Sequence, residues 1–187
     1  MGFIAVGFLA VVFLTGCNEK SPTFPRQVLL MRHAEKPTDV TDTVLSEVGK
    51  KRAEALAGLF NKSEARPEPL PKPDFIFAAQ ASQKSNRSVE TVALLAKSMK
   101  LEIDAGYANA DYGKLAAELL SNPKYEGKTV LICWHHGKLS EFAEQLGVES
   151  GKWADDVFDR VWVITYEKGK GTLTKRPQRL LPGDREK

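Results

Sequence analysis

Gln27-Val28-Leu29-Leu30-Met31-Arg32-His33-Ala34-Glu35-Lys36 is the stretch on which the fold turns. Val28 to Met31 form a continuous apolar run, and with Gln27 they have the length and character of a strand buried on both faces of a parallel sheet. The run then breaks into arginine, histidine, glutamate and lysine. Polar side chains placed just past a buried parallel strand lie where α/β sheets keep their ligand sites, outside the carboxyl ends of the strands.

Working outward, residues 46–60 place Val48, Ala55, Leu56, Leu59 and Phe60 among Lys50, Lys51, Arg52 and Glu54, the pattern of an amphipathic helix. Pro67, Pro69, Pro71 and Pro73 predict an extended surface loop. Strands are predicted at 74–78 and 129–133, at 160–166 by alternation, and from Thr172 after a turn at Gly169 and Gly171. Helices are predicted at 88–99, 114–120 and 139–146. Strand followed by helix, repeated without internal repeats, predicts an α/β fold: a three-layer α/β/α sandwich with a mostly parallel central sheet.

The chain has 187 residues, 42% of them hydrophobic and 27% charged, which suits one domain with a real core and excludes full-length disorder. Its formal net charge of +3 is no footprint for nucleic acid, and no obligate protein partner is evident. Much of the basic excess lies beyond Lys168, where Lys170, Lys175, Arg176, Arg179, Arg185 and Lys187 face only Asp184 and Glu186. The two cysteines, Cys17 and Cys133, rule out a disulfide scaffold and a cysteine-based zinc site. Three histidines without a clustered Asp/Glu run leave a metallohydrolase without ligands. No phosphate-loop motif is present.

Residues 1–16 carry no charged side chain and are too short to span a bilayer comfortably, so they read as the apolar region of a secretory signal. Leu14-Thr15-Gly16-Cys17 resembles the lipobox of bacterial lipoproteins. That resemblance implies a signal peptide at 1–16, lipidation of Cys17, a tether at 17–26 and a domain at 27–187. It places the protein in the bacterial cell envelope, lipid-anchored to a membrane on its periplasmic or outer face. An uncleaved anchor is the alternative.

All three histidines, His33, His135 and His136, follow two of the predicted buried strands, and Arg87 opens the helix after a third. Two guanidiniums match phosphate oxygens and neutralise charge on a transferring phosphoryl group. A neutral imidazole oriented through its second nitrogen can act as nucleophile.

These residues resemble the histidine phosphatase superfamily, in its small uncapped, phosphoglycerate mutase-like branch. The resemblance rests on Arg32-His33, on Leu45-Ser46-Glu47-Val48-Gly49-Lys50-Lys51-Arg52-Ala53, on Arg87-Ser88-Val89-Glu90-Thr91 and on His136-Gly137, in family order. It implies that His33 becomes phosphohistidine, that Arg32, Arg87 and His136 bind the phosphoryl group of a small phosphorylated substrate, and that no cofactor or metal is needed. His135 competes with His136 and is expected to be a partly buried neighbour. Asp111 and Glu35 are the candidates for general acid, with helix capping as the plainer role of Asp111. Arg52 is expected to be a solvated helix residue and Gly49 to serve helix–strand packing. Cys133, Trp153, Trp162 and Phe158 are expected in the core. The implied activity is a metal-independent phosphatase acting on a phosphomonoester or phosphoramidate. The alternative is a catalytically inactive, phospho-ligand-binding envelope lipoprotein. Loops 60–73 and 105–113 would set specificity.

Overall fold

The computed structural model describes residues 23–39 and 41–185. The expected signal segment 1–16, Cys17 and most of the tether lie outside the described residues. Among the described residues, no helix is long and apolar enough to cross a membrane.

Among the described residues, six strands form one sheet: β1 (Gln27–Arg32), β2 (Phe75–Ala78), β3 (Ile103–Asp104), β4 (Thr129–Trp134), β5 (Arg160–Glu167) and β6 (Lys170–Pro177), in the order β3-β2-β4-β1-β5-β6. The pairings β3/β2, β2/β4 and β4/β1 are parallel; β5 and β6 add antiparallel at one edge. Among the described residues, four α-helices cover the sheet: α1 (Glu47–Ala55), α2 (Arg87–Met99), α3 (Tyr112–Ser121) and α4 (His136–Gln145).

Side chains alternate across a strand, so an unbroken apolar run must feed two cores. Val28, Leu30, Val130, Ile132 and Trp134 pack with Leu115, Leu119, Leu139 and Phe142 of α3 and α4. Leu29, Met31, Leu131 and Cys133 pack on the other face with Val92, Leu95 and Ala96 of α2 and with Leu56, Leu59 and Phe60. Both faces are therefore helix-covered, giving the expected three layers.

The boundaries differ in instructive ways. The helix expected through Phe60 is α-helical only to Ala55, and Leu56–Phe60 continues as a tighter 3₁₀ segment. Ser46 caps α1, its Oγ accepting from Gly49 N at 3.1 Å. The proline-rich segment is not wholly a surface loop, because Leu70 and Pro73 are buried in it and Leu70 N donates to Leu59 O. Lys168 and Gly169, both at positive φ, close the β5–β6 hairpin in two residues.

Candidate active site

The central pair β1/β4 is in register from Gln27↔Thr129 to Arg32↔Trp134, so the two strands end together. His33 N donates to Trp134 O at 3.0 Å. The residues that follow, His33 on one strand and His135 on the other, are thereby brought side by side. Their ring centroids are 5.3 Å apart, nearly edge to face.

His33 is only 3% exposed. Its Nδ1 lies 2.7 Å from Ala34 O. A carbonyl can only accept, so Nδ1 carries the proton and Nε2 keeps its lone pair. Burial pushes the His33 pKa down to about 3; the Ala34 hydrogen bond opposes this, while His135, Arg32 and Arg87 add to it. The ring is neutral at physiological pH. Thr91 of α2 holds the preceding peptide, its Oγ1 accepting from Ala34 N at 2.9 Å and donating to Arg87 O at 2.7 Å.

Arg32, also buried, directs Nη1 to the carbonyls of Asp155 (2.6 Å) and Val157 (3.3 Å). Its Cζ lies 3.8 Å from the centroid of the Phe158 ring, a cation–π contact. Phe158 is thus not a core side chain as expected but the cover over this guanidinium, 6.3 Å from the His33 ring. Burial lowers the Arg32 pKa to about 10, which leaves it charged at neutral pH. Arg87, the first residue of α2, donates from Nη1 to Asp42 O at 2.7 Å. The Nε atoms of both Arg32 and Arg87 are buried and make no hydrogen bond. Both guanidiniums act electrostatically on the neutral His33 ring, and two such charges beside an imidazole suit an oxyanion.

The structure brings both of the paired histidines to the site, each partly buried. His135 is the one against His33, and burial, then Arg87, His136 and Arg32, push its pKa down to about 4. His136 opens α4 with its Nε2 3.5 Å from Asp155 Oδ1. Burial lowers its pKa and Arg32 adds to this, with Asp155 opposing. The physical reason is register: the residue directly past β4 faces the residue directly past β1, whatever precedes the glycine.

Both expected acids are paired with cations. Both carboxylate oxygens of Glu35 accept from Arg52, at 2.7–3.0 Å. Asp111 occupies the capping position before α3 without a side-chain cap bond and is instead paired with Lys114 at 2.7 Å, which holds its pKa down. Asp155 is the carboxylate that sequence reading missed. It sits in the loop between α4 and β5, and no motif marks it.

Arg52 is not solvated: it is 4% exposed and bridges Glu35 to Asp184, at 2.8 Å from Asp184 Oδ1, with Nη1 also reaching Gln178 Oε1. Burial alone would lower its pKa, but the Asp184 and Glu35 carboxylates hold it above the ordinary arginine range. Gly49 packs not on a strand but on the loop after β1, where a Cβ would overlap the Glu35 carbonyl oxygen. Cys133 is fully buried, and burial raises its thiol to about 12, which suits packing rather than nucleophilic work. Trp153 and Trp162 pack together in the core, as expected. Among the described residues no three His, Cys, Asp or Glu side chains group as a metal site needs.

No family model matches the chain, and no curated protein matches it. Among solved structures the chain is similar to the protein histidine phosphatase SixA complexed with tungstate, at a TM-score of 0.52 and 15% identity over 81% of this chain and 97% of that one. A SixA structure from Agrobacterium tumefaciens gives 0.51 and 19% over the same shares. A mycobacterial glucosyl-3-phosphoglycerate phosphatase with inorganic phosphate gives 0.51 and 16%, over 80% and 95%. These neighbours belong to the histidine phosphatase superfamily. At such identity the similarity establishes the fold.

Proposed function

We propose that this chain is a phosphatase of the histidine phosphatase type, hydrolysing a phosphomonoester or phosphoramidate through a phosphohistidine on His33. The observation that carries the reading is the buried, neutral His33, with Nδ1 tied to Ala34 O and Arg32 and Arg87 beside it. The named activities of the structural neighbours agree with it.

In this reading the phosphoryl oxygens accept hydrogen bonds from Arg32, Arg87 and His135. The Nε2 lone pair of His33 attacks phosphorus. The bond from phosphorus to the leaving oxygen or nitrogen breaks, and that atom takes the electron pair and a proton. Water then attacks phosphorus and the P–N bond to His33 breaks, releasing inorganic phosphate and returning His33 to its neutral form. The Nδ1–H···O=C bond to Ala34 stabilises the positive charge that develops on the ring. The arginines supply the charge that holds the phosphoryl group, so the step as written uses no metal. For the leaving-group proton we assign Asp155, whose carboxylate lies beside His136 and whose carbonyl holds Arg32.

The test is hydrolysis of p-nitrophenyl phosphate by wild type and His33→Ala, with and without EDTA. Turnover that EDTA leaves intact and the substitution abolishes is expected; equal activity in the variant sinks the mechanism. Acid quench with labelled substrate should trap an acid-labile, base-stable phosphoenzyme. A second reading, a binder of phosphorylated ligands without turnover, is favoured by the engagement of Glu35 with Arg52 and of Asp111 with Lys114. Tight phosphate binding with no hydrolysis of any ester would select it.

We propose further that residues 1–16 export the chain and that lipid on Cys17 holds it at a bacterial envelope membrane, on the periplasmic or outer face. Gly127 N donates to Phe24 O, so the tether joins the domain at the amino end of β1, the opposite end of that strand from His33. An anchored molecule would present its pocket away from the membrane. Cys17→Ser should move the protein from the membrane fraction to the soluble one.

A further inference from the structure

Two arginines grip the loop between α4 and β5, and only Arg32 belongs to the pocket. Arg32, buried, takes the loop from within, through the carbonyls of Asp155 and Val157 and the ring of Phe158. Arg185, exposed, takes it from the solvent side. Its Nη2 donates to Asp156 Oδ2 at 2.7 Å, its backbone N donates to Asp159 Oδ2 at 2.7 Å, and its Nη1 lies 3.9 Å from Asp159 Oδ1. Arg185 thus fixes both ends of 156–159, the stretch whose middle, Val157 and Phe158, meets Arg32. Arg185 is held in turn by its neighbour in the chain. Asp184 Oδ2 accepts from Leu180 N at 2.8 Å and Leu181 N at 3.1 Å, and Arg52 binds both Asp184 oxygens.

The consequence falls on Asp155. Asp155 and Asp156 are adjacent, and each side chain is 75% exposed, so packing places neither of them. Their partners tell them apart. The hydrogen bond from Arg185 holds the Asp156 carboxyl below its ordinary range and keeps it ionised. Asp155 Oδ1 instead lies 3.5 Å from His136 Nε2. Trp153 ties the inner part of the loop to the core, its Nε1 donating to Val157 O at 2.9 Å. On the side of Arg185 the loop borders a cavity of about 190 Å³, lined by charged side chains and one large apolar one, Phe158. Ion pairs rather than apolar packing therefore set the loop on that side. A proton donor must stand within hydrogen-bond reach of the leaving atom, so the setting of this loop bears directly on the rate.

We propose that Arg185 is a positioning residue for leaving-group protonation: by holding Asp156 and Asp159 it keeps Asp155 at the pocket. The proposal rests on the reading of Asp155 as the proton donor. The probe is leaving-group dependence, because phenolate is a far poorer leaving group than p-nitrophenolate and needs the proton more. In the full chain, Arg185→Gln should lose at least about tenfold in kcat on phenyl phosphate, part of the about 100-fold that a positioned acid contributes, and less than about threefold on p-nitrophenyl phosphate. Its Tm should stay within a few degrees of wild type, since exposed ion pairs add little stability. Asp156→Asn, which strands no buried charge, should show the same selective loss on phenyl phosphate, and Arg185→Lys should recover part of it. Asp155→Asn should show the selective loss more strongly. Adding Arg185→Gln to Asp155→Asn should cost nothing further, since both act through one group. Equal losses on the two esters, no loss on either, or a double variant whose losses multiply overturn the proposal. If Asp155→Asn leaves both rates intact while His33→Ala abolishes them, the proposal falls and the phosphohistidine reading stands. A wild type that hydrolyses neither ester sinks both.

Discussion

Replacing Arg52 by alanine should damage both stability and turnover, although Arg52 makes no contact with His33. The side chain is 4% exposed and forms hydrogen bonds to both oxygens of Glu35, both oxygens of Asp184, and Gln178. Its removal leaves two carboxylates facing a space that held a cation, and their side chains are only 18% and 5% exposed. Breaking a buried pair from one side costs about 3–5 kcal/mol, chiefly because the stranded charge is desolvated. In a domain of this size each kcal/mol lowers Tm by about 2–4 °C, so a drop of roughly 6–20 °C is expected. Glu35 directly follows Ala34, whose carbonyl orients the His33 ring. A displacement there of about 1 Å is enough to lose about 100-fold in rate, so kcat should fall at least tenfold. Thermal and urea unfolding measure the first effect and p-nitrophenyl phosphate kinetics the second. Arg52→Lys should recover only part, since one ammonium cannot serve two carboxylates bidentately. Arg52→Met combined with Glu35→Gln and Asp184→Asn should recover most of the stability, because no charge is then stranded. A loss below about 1 kcal/mol in Arg52→Ala, with kcat unchanged, would refute the reasoning and return Arg52 to a dispensable helix residue.

His135→Ala should lower kcat/KM on p-nitrophenyl phosphate by about 100-fold or more, as loss of one preorganised donor does, whereas His136→Ala should stay within tenfold; the reverse order would restore the motif-based assignment. Gly49→Ala should destabilise by about 1–3 kcal/mol in urea unfolding, because the added Cβ overlaps the Glu35 carbonyl oxygen and forces backbone to move; a neutral effect would show that loop to be slack. Acid should destabilise the fold through the neutral histidines: His33 and His135 have an ordinary pKa of 6.5 but values of about 3 and about 4 in the fold. Between those limits the unfolded chain binds more protons, so stability falls as pH drops below about 6.5, by up to about 1.4 kcal/mol per pH unit for each histidine. Urea midpoints at pH 7, 5.5 and 4.5 should show this, with a shallower slope in His33→Gln; equal slopes in variant and wild type would contradict the buried, neutral His33.

The layered α/β architecture was legible in the amino-acid order because it follows from local pattern. Apolar runs such as Val28–Met31 and the run from Val130 have to be covered on both faces, and the amphipathic stretches between them supply the cover. Arg32, His33 and Arg87 were legible too, since a polar residue just past a buried strand, or opening the next helix, has few places to go. What adjacent residues do once they leave a strand is not local information. His135 and His136 are neighbours in the chain, and only the in-register pairing of β1 with β4 decides that His135 meets His33. Arg52 reads as one more charge on a helix until the chain returns, 132 residues later, to set Asp184 beside it. Asp155 and Phe158 belong to a loop with no periodicity, and Arg32, by claiming two of its carbonyls and one of its rings, helps to draw that loop over the site, together with Arg185, which pairs with Asp156. The sequence by itself determined the layered α/β architecture and placed Arg32, His33 and Arg87 at strand and helix ends, because those follow from burial along a strand. Which histidine lies against His33, which carboxylate lies beside His136 and which arginine is buried between two carboxylates were decided only by tertiary structure, because each depends on a partner far away in the chain.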